Sequence, residues 1–126
     1  MTKEQFIKLH KEYTEKMHEL VKAKNHDYTG NSNNPFSNFE FSAEFADTIV
    51  EQGILTRISD KFARFKSFLK QGVLKVQDEK IVDTLLDASN YLLIVAAYIE
   101  SKKGVKEENY TPKQQTVVEI NKKGGF

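Results

Sequence analysis

A chain of 126 residues is long enough for one domain with a single hydrophobic core, and its lack of cysteine excludes a disulfide framework, thiol catalysis and thiolate-built metal sites. Nineteen basic against eighteen acidic side chains leave a formal charge of +1, which argues against broad electrostatic attachment to duplex DNA but leaves room for a local phosphate site. The opening "MTKEQFIKLHKEY" lacks the apolar centre of a signal peptide, and the longest apolar run, residues 91–99, is too short to span a bilayer, so a cytoplasmic protein without membrane insertion is expected.

Residues 3–24 place Phe6, His10, Tyr13, Met17, Leu20, Val21 and Lys24 at steps of three and four, the spacing that gathers side chains on one face of an α-helix. The next stretch, "KNHDYTGNSNNPFSNFEF", predicts a long ordered loop over residues 25–41, between the first two helices. Ser42 followed by Ala43, Glu44 and Phe45 reads as an N-cap, which gives a short second helix over residues 43–51, stopped at Gly53. A third helix follows over residues 54–70, with Ile54, Leu55, Ile58, Phe62, Phe65 and Leu69 as its apolar stripe and Gly72 just past its end. The fourth is expected over residues 78–102, with Asp78 and Glu79 at the positive end of the helix dipole and Lys102 and Lys103 at the other. Its second half, "YLLIVAAYI", is apolar on every face and predicts a central helix packed all round. After Gly104 the chain turns polar and is broken by Pro112; it reads as a tail, partly disordered or ordered on a partner chain, with residues 116–120 as the one candidate strand. The expected class is all-α: a compact bundle of about four helices as a single domain over residues 1–103, and a tail over 104–126.

Two helices carry residues suited to chemistry. Arg57, Lys61 and Arg64 fall at i, i+4 and i+7 and form a basic stripe that could hold phosphate, the arginines as planar forks of donors and the lysine as a movable charge. Asp60 lies three residues after Arg57 and four before Arg64, so ordinary surface ion pairs explain the same arrangement. On the fourth helix Asp83, Asp87 and Asn90 share one side with Ile94 and Tyr98, and a polar patch running into an apolar stripe suggests a pocket wall. Two carboxylates one turn apart could share Mg²⁺, pair with an arginine across a helix interface, or accept hydrogen bonds from sugar hydroxyls. His10 and His18 belong to the first helix, and His26 beside Asp27 is a weak signal for a metal phosphohydrolase.

In the loop, Asn25, Asp27, Asn31, Asn33 and Asn34 are ordinary turn formers. Tyr28, Phe36, Phe39 and Phe41 would pin the segment to the core, and rings with amides also suit a nucleobase, which stacks on the one and bonds to the other. The loop is thus expected to fold over the third and fourth helices as a lid, with Tyr28 and one of Phe36 or Phe39 facing a base.

Three blocks, "KNHDYTGNSNNPFSNF", "GILTRISDKFARFKSFL" and "VDTLLDASNYLLIVAAYI", cover about residues 24–99 and resemble the nucleotide-modification-associated domain found largely in phages and prophages. The resemblance implies an all-α protein of nucleotide metabolism or modification and picks out Asp27, Tyr28, Asn38, Phe39, Arg57, Asp60, Lys61, Arg64, Asp83, Asp87, Asn90 and Tyr91. The layout is also distantly similar to MazG-like all-α nucleoside triphosphate pyrophosphatases, which hold Mg²⁺ on E-x-x-E and E-x-x-D pairs. This chain has instead Asp60 followed by a lysine, and then "DTLLD".

The expected function is binding of a nucleotide or modified nucleotide in a bacterial host cytoplasm, by a homo-oligomer. Hydrolysis would use a Mg²⁺-activated water, with Asp60, Asp83 and Asp87 as ligands and Asp27 as a further ligand or base. The alternatives are a metal-free sponge that sequesters an immune signalling nucleotide, such as a cyclic nucleotide or a cyclic ADP-ribose derivative, in an anti-defence role, and a purely structural or protein-interaction module.

Overall fold

A computed structural model describes residues 1–72 and 80–103. They form α1 (Lys3–Thr29), α2 (Ser37–Phe45), α3 (Val50–Gln71) and α4 (Ile81–Ser101), with no strand among the described residues, so the protein is an all-α helical bundle. The tail over 104–126, the candidate strand at 116–120, and Asp78 and Glu79 as the start of the fourth helix lie outside the described residues.

α1 opens with a capping box. The Gln5 N–H donates to Thr2 Oγ1 at 3.1 Å and the Thr2 N–H donates to Gln5 Oε1 at 2.8 Å, which satisfies two of the donors a helix start leaves over. The helix continues past Lys24 to Thr29, so Asn25, His26, Asp27 and Tyr28 are helical and not part of a loop. What stops it is Gly30, whose φ of +57° suits a residue without a Cβ and whose N–H donates to the His26 carbonyl. The connector is therefore short. Within it Asn34 does act as a turn former: its Oδ1 accepts from the Phe36 N–H at 3.0 Å, and its Nδ2 donates to the Glu40 carboxylate at 3.2 Å.

α2 begins at Ser37, six residues before the expected start, because the aromatic half of the supposed loop is already helical. Ser42 is an interior residue whose hydroxyl donates to the Asn38 carbonyl, and not an N-cap. The chain turns at Asp47, in the left-handed region at φ +52°, which lets the Thr48 N–H reach the Ala43 carbonyl at 2.8 Å. α3 then starts at Val50 and absorbs Gly53 into its first turn. Its end agrees with the sequence: Gly72, at φ +74°, donates its N–H to the Phe68 carbonyl.

The core lies where α2, α3 and the end of α4 meet. Ala43, Val50, Ile54, Ile58 and Tyr98 are buried together, with Phe36, Phe39, Tyr91, Ile94 and Val95 packed around them. Phe36 meets Tyr98 edge-on, with ring centroids 5.2 Å apart. Of the expected α3 stripe, Ile54 and Ile58 are buried, while Leu55, Phe62 and Leu69 are exposed. The all-round packing expected for the second half of α4 is not found: Leu92 and Ile99 are about half exposed and Leu93 more so, because α3 and α1, the helices that pack along α4, leave one side uncovered. By length and composition this 21-residue helix could cross a membrane, which the nine-residue apolar run had not suggested; only 22% of its most apolar window is buried.

Candidate functional site

α1, the connector to α2, α3 and α4 together enclose a cavity of about 440 Å³. α1 contributes Val21, Lys24, Asn25 and Tyr28, at the i, i+3, i+4, i+7 spacing of one helical face, together with Lys22. Pro35, Phe36, Asn38 and Phe39 close one side, and Arg57 enters from α3. α4 supplies Asp87, Asn90, Tyr91 and Ile94 on one face, with Leu93 and Ala97 at its edge. The walls are mostly apolar, with a few convergent polar groups, and the volume falls in the roughly 300–1,000 Å³ range of small-molecule sites.

Arg57 is the best-positioned cation. Its guanidinium carbon lies 5.1 Å from the Phe39 ring centre and 5.8 Å from that of Tyr91, so cation–π contacts with two rings hold it in place. A guanidinium near aromatic rings still has N–H donors for hydrogen bonding. Asp87 sits between two ammonium groups, Lys24 Nζ at 3.7 Å and Lys61 Nζ at 3.4 Å, so this corner carries one carboxylate against two cations.

The amides partly serve the scaffold. Asn25 Nδ2 donates to the Pro35 carbonyl at 2.8 Å, which ties the end of α1 to the connector, and Asn90 Nδ2 donates to the Met17 carbonyl at 3.2 Å, which ties α4 to α1. Their carbonyl oxygens are not used by these bonds. Asn38 Oδ1 is enclosed and accepts no hydrogen bond from the described residues, although its residue lines the cavity.

Of the residues singled out in the sequence, the fold brings Asn25, Tyr28, Phe36, Asn38, Phe39, Arg57, Asp87, Asn90 and Tyr91 around one space. Lys61 stands behind them through Asp87. Asp27, Asp60, Arg64 and Asp83 are not in the lining. The basic stripe divides accordingly, because steps of three and four fan across a helix: Arg57 faces the cavity, Lys61 the carboxylate of α4, and Arg64 lies 3.8 Å from Asp60 in a loose pair on its own helix. Asp83 pairs with Lys16 at 2.9 Å. That hydrogen bond, and then the charge of Asp83, raise the Lys16 ammonium above its ordinary value of 10.5.

The expected cation site does not assemble. Among the described residues no group of three histidine or carboxylate side chains could hold a metal ion, and Asp60, Asp83 and Asp87 each face a different basic partner. A hard cation asks for several oxygen donors turned to one point, so the donor set as arranged does not fit Mg²⁺.

Val21, Lys22, Lys24, Pro35, Leu93 and Ala97 line the cavity without having been assigned a role in it from sequence, whereas Ile94 takes its place in the wall that the spacing of α4 suggested. Val21 and Lys24 had a signal, since both continue the face of α1 already identified. No family model, no curated protein and no solved structure matches this chain, so the likeness to the nucleotide-modification-associated domain rests on its three sequence blocks alone.

Proposed function

We propose that the protein binds a nucleotide or nucleotide-derived small molecule in the cavity between α1, α2 and α4. One observation carries this reading: aromatic walls, side-chain amides and a guanidinium near two rings converge on a single space of about 440 Å³. Tyr28, Phe36 and Phe39 offer faces to a base, the amide oxygens of Asn25 and Asn90 accept from its edge or from ribose hydroxyls, and Arg57, Lys22 and Lys24 offer charge to phosphate. The sequence resemblance to a phage and prophage family of nucleotide metabolism supports the same ligand class.

Holding is favoured over cutting. With Asp83 and Asp87 engaged by lysines, the described residues offer no cluster of free carboxylates to position a metal-activated water, whereas a binding protein needs only the rings and the cations. Sequestration of a signalling nucleotide, such as a cyclic nucleotide or a cyclic ADP-ribose derivative, is the form of holding that suits a phage-type protein.

The test incubates the full chain with nucleoside triphosphates and cyclic signalling nucleotides, with and without Mg²⁺, then releases the ligand by heat and analyses it by chromatography. Depletion from solution followed by intact recovery is expected, and Arg57→Met should abolish the depletion. Altered product would move the assignment to hydrolysis, and no depletion of any nucleotide would end both readings. A true ligand at one hundred times its Kd also adds about 2.7 kcal/mol of stability, visible as a rise in Tm.

A further inference from the structure

The described lining of the cavity is rich in hydrogen-bond donors and short of acceptors. Arg57, Lys22 and Lys24 donate to any oxygen of a base, sugar or phosphate, so they do not choose among bases. Tyrosine hydroxyls donate or accept as required, so Tyr28 and Tyr91 do not choose either. Asp87 faces Lys24 and Lys61, and the Asn38 oxygen is enclosed. Among the described side chains of the lining, that leaves Asn25 and Asn90 as fixed acceptors. In each, a backbone carbonyl sets the orientation of the amide: Nδ2 of Asn25 donates to Pro35 at 2.8 Å and Nδ2 of Asn90 donates to Met17 at 3.2 Å, so a flipped amide would set oxygen against oxygen. What each has left for a ligand is Oδ1.

The two oxygens differ in their surroundings. Asn90 is tied to Met17, whereas Asn25 stands about two turns further along α1, roughly 12 Å of helix rise. Tyr28 follows Asn25 at i+3 on the same face of α1, and the carbonyl that orients the Asn25 amide belongs to Pro35, the residue before Phe36. Asn25 is therefore the acceptor beside the rings.

We propose that Asn25 Oδ1 selects the base: the ligand is a nucleotide whose base carries an exocyclic amino group, adenine or cytosine, and the counterparts with a carbonyl in its place, hypoxanthine and uracil, are rejected. This rests on the nucleotide reading above and adds to it a base class and the residue that chooses it. An amino N–H donates to the fixed oxygen, whereas a carbonyl there sets two acceptors face to face and leaves both without the hydrogen bonds that water gave them. Rejection of the wrong base thus adds to attraction of the right one.

The experiment titrates the full chain with pairs of nucleotides that share sugar and phosphate and differ in the base, adenosine against inosine and cytidine against uridine, each as monophosphate, triphosphate and cyclic monophosphate. In every pair of which one member binds, the amino member is expected to bind at least about tenfold more tightly. Two variants separate recognition from scaffold, because Asn25→Leu and Asn25→Asp both lose the bond to the Pro35 carbonyl but only Asn25→Asp keeps an acceptor. Asn25→Leu should bring the ratio within each pair close to one, and Asn25→Asp should keep the preference for the amino base. The ratio cancels any change in attraction for phosphate, since both members carry the same one. Equal binding within the pairs, or preference for the carbonyl base, overturns the proposal and leaves the nucleotide reading standing. So does a preference that the two variants lose alike, which would place selection in the connector, or one that both keep. Discrimination against the 2′-deoxy form without discrimination between bases would assign the oxygen to ribose and overturns it too. If neither variant folds, the pairs decide on the wild-type chain. Binding of no member of any pair ends the nucleotide reading and this inference with it.

Discussion

The two surfaces that α2 and the end of α4 turn toward their neighbours end differently, one filled and the other hollow. Toward α3, the buried residues Ala43, Val50, Ile54, Ile58 and Tyr98 close on one another. Toward α1, Phe36, Phe39 and Ile94, which pack on that same core, border open space. The difference lies in what each neighbour offers. α3 presents Val50, Ile54 and Ile58 at steps of four, an unbroken apolar face, whereas α1 after the buried Met17 presents Val21, Lys24, Asn25 and Tyr28. That face is interrupted by a lysine tied to Asp87 and an asparagine tied to the Pro35 carbonyl, so it does not close on the apolar walls as α3 does, and a cavity remains.

The sharpest way to test this contrast is to hollow the filled side. Ile54 is fully buried, and Ile54→Ala should cost about 2–5 kcal/mol, read from urea or thermal unfolding. A cost below about 1 kcal/mol would mean that the core is looser than its burial states. Adding volume should separate the two sides more cleanly. Ala43→Leu overfills the core and should cost about 1–3 kcal/mol. Ala97→Leu adds the same atoms to the cavity edge, should change stability by no more than about 0.5 kcal/mol, and should weaken ligand retention. Equal costs at the two alanines would dissolve the distinction.

The fold class was legible in the sequence because it depends on apolar periodicity, and Ile54, Ile58, Met17 and Tyr98 lie where that periodicity puts them. The helix boundaries from residue 25 to 53 were not. Asparagine and proline in "NHDYTGNSNNPF" signal turns, yet Asn25 and Asp27 sit comfortably in a last helical turn, and the break waits for Gly30, where the backbone leaves the helical region. The α4 wall of Asp87, Asn90 and Ile94 was legible for the same reason as the core, since the three share a face. The partners of the carboxylates were not, because Lys16 and Lys24 reach them from a helix more than fifty residues away, and spacing within one helix carries no information on the crossing of two.

A smaller effect tests how α1 is held at the cavity. Asn90 Nδ2 donates to the Met17 carbonyl, one turn before Val21, the first α1 residue to line the cavity. Asn90→Ala should cost about 0.5–1.5 kcal/mol, the usual net value of such a bond. Hydrogen exchange should quicken in the second half of α1 and not in α3, since the amide ties only the cavity side; uniform quickening would place the bond in the common core.

The smallest expected effect separates the two carboxylates of α4. Lys16 is raised above 10.5 by its hydrogen bond and its attraction to Asp83, so the folded chain holds this proton more tightly than the unfolded one does. The sign follows directly: the stabilisation is fully present below the ordinary lysine value and is lost as pH rises through the higher, folded one. Both side chains are substantially exposed, at 52% and 43%, so salt screens the pair as well. Lys16→Met should therefore lower Tm slightly at neutral pH and low salt, and the gap from wild type should close at strongly alkaline pH and in high salt. Lys61, only 17% exposed where it meets Asp87 behind the cavity, is shielded from that screening, and the Lys61→Met gap should persist in salt. Two gaps that close together with salt would show that Asp83 and Asp87, one helical turn apart, sit in equally wet surroundings, and the cavity would then have no dry floor beneath Asp87.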